Sequence, residues 1–367
     1  MSMSGRRRLR RFYLRCRFLN DTHQAPQPEE DAIVFKPNRR DLRMLKMVAE
    51  HGMLTPGHIA LARAWNQEAV ARRLRELQGQ GWLTGEARGF GRKRGRPRKL
   101  LRITAEGVSL LAEKGKLPGG IDDDEICAPP RGSIDHLLLL NWLLMHVLAL
   151  SRRVPFLSTY ILSSVSPLLP QDSKGPSLLQ DRVKLPESNK PESFVPDAAF
   201  CVHHQETDQS LLFFAEVDMN TEDMSNPDRR PGDVRNKIRC YQTYFETELY
   251  KRYEGIWKLK LNGFRLLFLA NEHAGLLKLC RLVREMPPSD FVWLTDQRSL
   301  LAKGLCAAIW VQGGREDEDR RSILGNQTNR AQETLAGVAA GPRLSRGGQS
   351  HCRRRVREVG DRRDHIL

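Results

Sequence analysis

The sequence predicts a chain of fold class α+β / α/β, with a small helical domain that ends in a β-hairpin, a larger domain on a mixed sheet, and a disordered tail. Three observations carry this. Apolar residues recur at helical spacing three times between 39 and 79, then alternate across two short segments. Between 134 and 312, continuous apolar runs typical of buried strands are interleaved with amphipathic stretches. Separating the two is LPGGIDDDEICAPPRGS, whose Pro, Gly and acidic residues read as a linker over 118–133. Residues 1–38 form a basic, flexible arm, and from Gly313 to 367 the chain turns polar and basic, where disorder is expected.

In the first domain, RDLRMLKMVAEHG sets Leu42, Leu45, Val48 and Ala49 on one helical face, and Gly52 ends the helix. Thr55 is a fitting N-cap for PGHIALA, with Pro56 at the first helical position, where its missing N–H does no harm. Asn66 caps a third helix whose Val70, Leu74 and Leu77 face inward. Arg72 and Arg75 then point outward, with Glu68 and Glu76 between them, as a DNA-facing surface or as a solvated face of ion pairs. WLTGEAR and KLLRIT read as two strands, and Thr104 opens a last helix, AEGVSLLAEKG.

Three helices followed by a hairpin with a basic tip is the order of a winged helix-turn-helix. The tip, GFGRKRGRPRK, resembles an AT-hook held by two strands. Gly95 would let the backbone approach the groove floor, Pro97 favours an extended course, and Arg94 and Arg96 would enter the negative potential of a narrow minor groove. The expected DNA-binding residues are therefore Arg72 and Arg75 on the third helix, and Arg92, Lys93, Arg94, Arg96 and Arg98 on the wing. Double-stranded DNA is the expected partner.

The whole chain agrees. It has 367 residues, enough for two modest domains, and a net charge of +16, which favours polyanions, with nucleic acid ahead of acidic membranes. No membrane partner is expected. LLLLNWLLMHVLALS falls short of the ~18 apolar residues of a spanning helix and is interrupted by Asn141 and His146, so it reads as a core helix. The arginine-rich start lacks the apolar region of a secretory signal; it fits a nucleic-acid-binding arm or a start-site artefact. The 7 cysteines show no CxxC spacing, which argues against zinc and disulfides and for a reducing cytoplasm.

In the second domain, Asp197 opens one strand, FVPDAAFCVHH, and Glu216-Val217-Asp218 closes the next, LLFFAEVD. Strand alternation puts Glu216 and Asp218 on one face. If the strands pair as a hairpin, Asp197 comes near Glu216, and such carboxylates can hold a hard ion such as Mg²⁺. His136 and His146 do not share a helix face closely, and core packing is expected of both.

This arrangement, over about 134–275, resembles the core of the PD-(D/E)XK nuclease superfamily. The resemblance implies metal ligands at Asp197 and Glu216, with Asp218 beside them. Where the superfamily's lysine is expected, this chain has Asp218; Lys237 on the following helix, in DVRNKIRCY, could supply the catalytic cation. Taken together, GRPRKLLRITAEGVSLL, the apolar helix opening at His136, VPDAAF, FFAEVDMNTED and KIRCYQTYF resemble the replication-relaxation family of bacterial plasmids and mobile elements, over about 40–300. That resemblance implies a DNA-associated role in replication, or in relaxation and transfer, with the element's replication or transfer proteins and a second copy of the chain as partners. A Mg²⁺-dependent endonuclease and a winged-helix transcriptional regulator are the rival expectations.

Overall fold

The computed structural model describes residues 35–88, 98–119, 121–130, 132–169, 178–219 and 233–325. The expected arm up to 34, the basic loop 89–97 and the tail beyond 325 lie outside them.

The first helices form where capping chemistry and apolar spacing coincide. At the start of α1 (Arg39–His51), the Asn38 side chain accepts from the Arg40 and Asp41 amides at 2.8 and 3.1 Å, and Asp41 accepts in return from the Asn38 N–H. Thr55 caps α2 (Pro56–Arg63), and Asn66 caps α3 (Gln67–Gly79) through the Ala69 amide. Two antiparallel strands follow, β1 (Leu83–Arg88) and β2 (Arg98–Ile103), in register from Leu83 opposite Ile103 to Arg88 opposite Arg98. Leu54 exchanges two backbone hydrogen bonds with Leu101, tying the hairpin to the chain between α1 and α2. In α4 (Ala105–Glu113), Gly107 packs so closely that a β-carbon would lie 2.3 Å from the Trp82 carbonyl.

The expected linker is part of the fold. It contains the short helix α5 (Asp123–Cys127), with Ile126 buried and the Cys127 carbonyl accepting from the Arg102 guanidinium at 2.6 Å. From Asn38 onward the contacts form one compact unit, so the two patterned regions are fused and not tethered. Helix α6 (Ile134–Arg153) makes the join. It is apolar nearly all round, as a helix packed on several sides must be. Its 20 residues make it long and apolar enough, by length and composition, to cross a membrane, but most of it is buried within the protein. Toward the N-terminal helices, the buried Asn141 amide donates to the His51 and Met53 carbonyls at 3.1 and 2.9 Å, and the Trp142 ring lies 4.2 Å from that of His58.

The larger sheet comprises β3 (Leu157–Ser163), β6 (Ala198–His204), β7 (Gln209–Asp218), β8 (Phe264–Ala270), β9 (Val292–Asp296) and β10 (Val311–Gln312), in the order β10-β9-β8-β7-β6-β3. The β3, β6 and β7 strands are antiparallel, β7 to β9 are parallel, and β10 is antiparallel to β9. A parallel step needs a crossover, and α7 (Val234–Glu246) with α8 (Arg252–Trp257) supplies the one from β7 to β8. Helix α9 (His273–Arg284) supplies the next, and α10 (Gln297–Lys303) follows β9. A separate pair, β4 (Asp181–Val183) and β5 (Glu192–Phe194), joins the core that α7 and α9 make with one sheet face. Helix α6 touches β3 and β7 but adds nothing to that core, so it covers the opposite face.

Order continues past Gly313, where composition places the start of the tail. The Gly313 amide donates to the Val292 carbonyl, Trp310 and Arg321 exchange backbone hydrogen bonds, and Ile323 is fully buried. Glycine and charge, read as signs of disorder, serve packing here. Gly314 comes so near the Cys280 carbonyl that a β-carbon would sit 2.3 Å away, and Arg315 pairs with Asp290 and Glu318.

Replacing Asn141 by Leu strands the buried Met53 carbonyl and leaves the His51 carbonyl with the Met53 amide alone. Urea unfolding of Asn141→Leu is expected to show a loss of about 1–3 kcal/mol, the usual cost of leaving such groups unpaired.

Candidate nucleic-acid interface and carboxylate site

Helix α3 has two chemically distinct sides. Val70, Leu74 and Leu77 are buried. Arg73 turns toward α1, where its guanidinium donates to both oxygens of the fully buried Asp41 at 2.7 and 2.6 Å. This two-pronged hydrogen bond raises the Arg73 pKa and fixes α3 against α1. Arg72 and Arg75 are exposed, as their helical positions predict. The hairpin's open end, Arg88 opposite Arg98, leads into the basic loop. Arg92, Lys93, Arg94 and Arg96 in that loop lie outside the described residues, and of Arg98 only the backbone, in β2, is described.

The carboxylate site is a consequence of register. Ala198 pairs with Ala215, which brings Asp197 beside Glu216 across the β6–β7 hairpin. Asp197 is held on several sides. Its Oδ2 accepts from the Val217 amide at 2.8 Å and lies 3.0 Å from His136 Nε2, while its own carbonyl accepts from the Ser164 amide and hydroxyl. Glu216 points into the buried face beneath α7. There the Tyr241 hydroxyl donates to Oε1 at 2.7 Å and Lys237 Nζ to Oε2 at 3.3 Å. Lys237 and Tyr241 stand four residues apart, on one side of α7.

The titration of these groups is strongly displaced. Burial pushes the Glu216 carboxyl up to about 7, against the opposing pull of Lys237. The hydrogen bond to Asp197 raises His136 despite burial. Burial first, then the charge of Glu216, drives the Tyr241 hydroxyl well above its ordinary value, so it stays a neutral donor.

Of the expected site residues, Asp197, Glu216 and Lys237 converge. Asp218 is buried two positions along β7, its carbonyl accepting from the Asn271 amide. Among the described residues no group of three or more His, Cys, Asp or Glu side chains stands together as a metal-holding cluster. Each Glu216 oxygen accepts one hydrogen bond, from Lys237 or Tyr241, so a divalent ion at this carboxylate would have to displace the Lys237 ammonium. His136, expected in the core, is instead a member of the site, 61 residues from its partner Asp197. His146 is half-buried, and desolvation lowers it to about 4. Tyr241 falls at helical spacing with Val234 and Ile238 on α7. Nothing local in the sequence signals its partner.

The family model for replication-relaxation matches residues 45–259. The chain belongs to the replication-relaxation family. The match runs from α1 to just past α8 and takes in α3, the hairpin, Asp197, Glu216, Lys237 and Tyr241. Membership ties the chain to replication or relaxation of a plasmid or mobile element. No curated protein and no solved structure matches it.

The raised carboxyl has a consequence for stability. A group that holds its proton more tightly when folded stabilises the protein while protonated, and that contribution is lost as pH rises toward its folded pKa. For Glu216 the loss runs from the ordinary carboxyl value up to about 7, and His136, also raised, acts in the same sense. Chemical denaturation between about pH 5 and 8 should show the wild type losing stability as pH rises, and Glu216→Gln a flatter profile.

Proposed function

We propose that this replication-relaxation protein binds double-stranded DNA in the manner of a winged helix, in the cytoplasm, as the DNA-recognition component of an element's replication or transfer apparatus. Helix α3 enters the major groove through Arg72 and Arg75, and the β1–β2 loop reaches the minor groove through Arg92, Lys93, Arg94 and Arg96, with Arg98 at its base. The sorting of arginines on α3 carries this proposal. Arg73 is consumed by Asp41, while its neighbours Arg72 and Arg75 stay exposed beside a hairpin that opens into a basic loop. A helix whose charges served only to solvate it would have no reason to be followed by such a loop. Phosphate neutralisation would supply most of the affinity.

Titration of labelled duplex at two salt concentrations tests this. Arg72→Ala/Arg75→Ala and Arg94→Ala/Arg96→Ala should each weaken binding about tenfold or more and reduce the salt slope by about 2, close to one for each phosphate no longer neutralised. Affinity and slope equal to wild type in both variants would refute the interface.

The approach of Lys237 to Glu216 beside Asp197 supports a second activity, phosphodiester cleavage at a nuclease-type site. Here α7 would provide the cation that the strand, with Asp218, lacks. Nicking of supercoiled plasmid with added Mg²⁺ or Mn²⁺ is expected to disappear in Asp197→Ala/Glu216→Ala. Nicking that persists in the double variant would exclude this site.

A further inference from the structure

Four arginines outside both sites lie near one another. Arg40 and Arg43 lie on α1, Arg63 ends α2, and Arg152 is in the last turn of α6. Trp65, the residue before the N-cap of α3, acts as a platform. The Arg40 guanidinium lies 4.0 Å from the ring centroid and that of Arg63 5.4 Å. Among the described residues no carboxylate forms an ion pair with any of the four.

Arg63 is the unusual member. Its Nε is shut off from solvent and meets no hydrogen-bond acceptor. Buried donors nearly always find partners, so an exception needs a reason. Burial, then the charges of Arg152 and Arg43, lower its hold on the proton to about 10, so those guanidiniums stand near enough to repel it. Gathering like charges costs the free protein stability. Ordinary folding would relieve that cost with an Asp or Glu, as Asp41 does for Arg73.

We propose that Arg40 and Arg63, stacked on Trp65, together with Arg43 and Arg152 near Arg63, form a phosphate-binding site that grips the DNA backbone next to the groove entered by α3. Guanidinium forks match phosphate oxygens in pairs, and stacking on Trp65 holds Arg40 and Arg63 partly ordered before the ligand arrives. The position selects the nucleic-acid backbone over a free anion. Trp65 adjoins the Asn66 cap, so a duplex seated on α3 brings its flanking phosphates to this surface. The site extends the duplex-binding function proposed above and rests on it only for the source of the phosphate.

Arg43 and Arg152 are exposed, so Arg43→Gln/Arg152→Gln in the full-length chain leaves the core untouched. Duplex titrations should give this variant roughly tenfold weaker binding and a salt slope smaller by about 2 than wild type. Wild-type affinity and slope in the variant, beside a clear loss in Arg72→Ala/Arg75→Ala, would overturn the arginine site and leave the α3 interface standing. If wild type binds no duplex, thermal unfolding decides, with inorganic phosphate replacing chloride at equal ionic strength. A phosphate-specific rise in Tm that the variant lacks keeps the site, with free phosphate as its ligand, and no rise in wild type removes it.

Discussion

An asparagine amide in the middle of an apolar helix must find acceptors, and Asn141 finds them in the His51 and Met53 carbonyls, where α1 gives way to α2. Because those acceptors belong to the N-terminal helices, α6 cannot pack on the sheet without also fixing the small domain. The same helix carries His136 near its start, on Asp197, and Trp142 in its middle, against His58. One rigid element thus sets the position of α3, through α2, and one member of the carboxylate site. An all-apolar α6 would bury as much surface but would specify this docking less narrowly, since dispersion forces have little directionality.

The carboxylate site shows how far strand register alone can go. Pairing Ala198 with Ala215 suffices to bring Asp197 and Glu216 together, and the single crossover helix α7 then delivers Lys237 and Tyr241 from one side. Burying Glu216 would be costly if it were left unpartnered. Two donors from one helix face offset that cost and leave the carboxyl poised near neutrality. A group titrating there is suited to proton exchange and also makes the local structure sensitive to pH.

Local patterns were readable in the sequence. The Thr55 and Asn66 caps, the three N-terminal helices, the hairpin, the inward face of α3 and the convergence of Asp197 with Glu216 follow from spacing over a few residues or from one register, while the approach of Lys237 is implied by the family resemblance. What escaped was long-range pairing. Arg73 looks like any other charge on α3, and only its hydrogen bonds to Asp41 on α1 mark it as structural. His136 sits in a run of leucines, and its partner lies far along the chain. The short strands β4, β5 and β10 carry too few residues for a period to register. The segment 313–325 misled because glycines that permit close packing look, in composition, like glycines that loosen a chain.

Amide hydrogen exchange of the full-length protein, with and without duplex DNA, tests the central claim of an α3-centred DNA interface most directly. Protection on binding is expected in α3 and the β1–β2 hairpin, with α9 and β9 on the far side of the sheet unchanged. Protection confined to α9 and β9, with α3 exchanging as in the free protein, would contradict it.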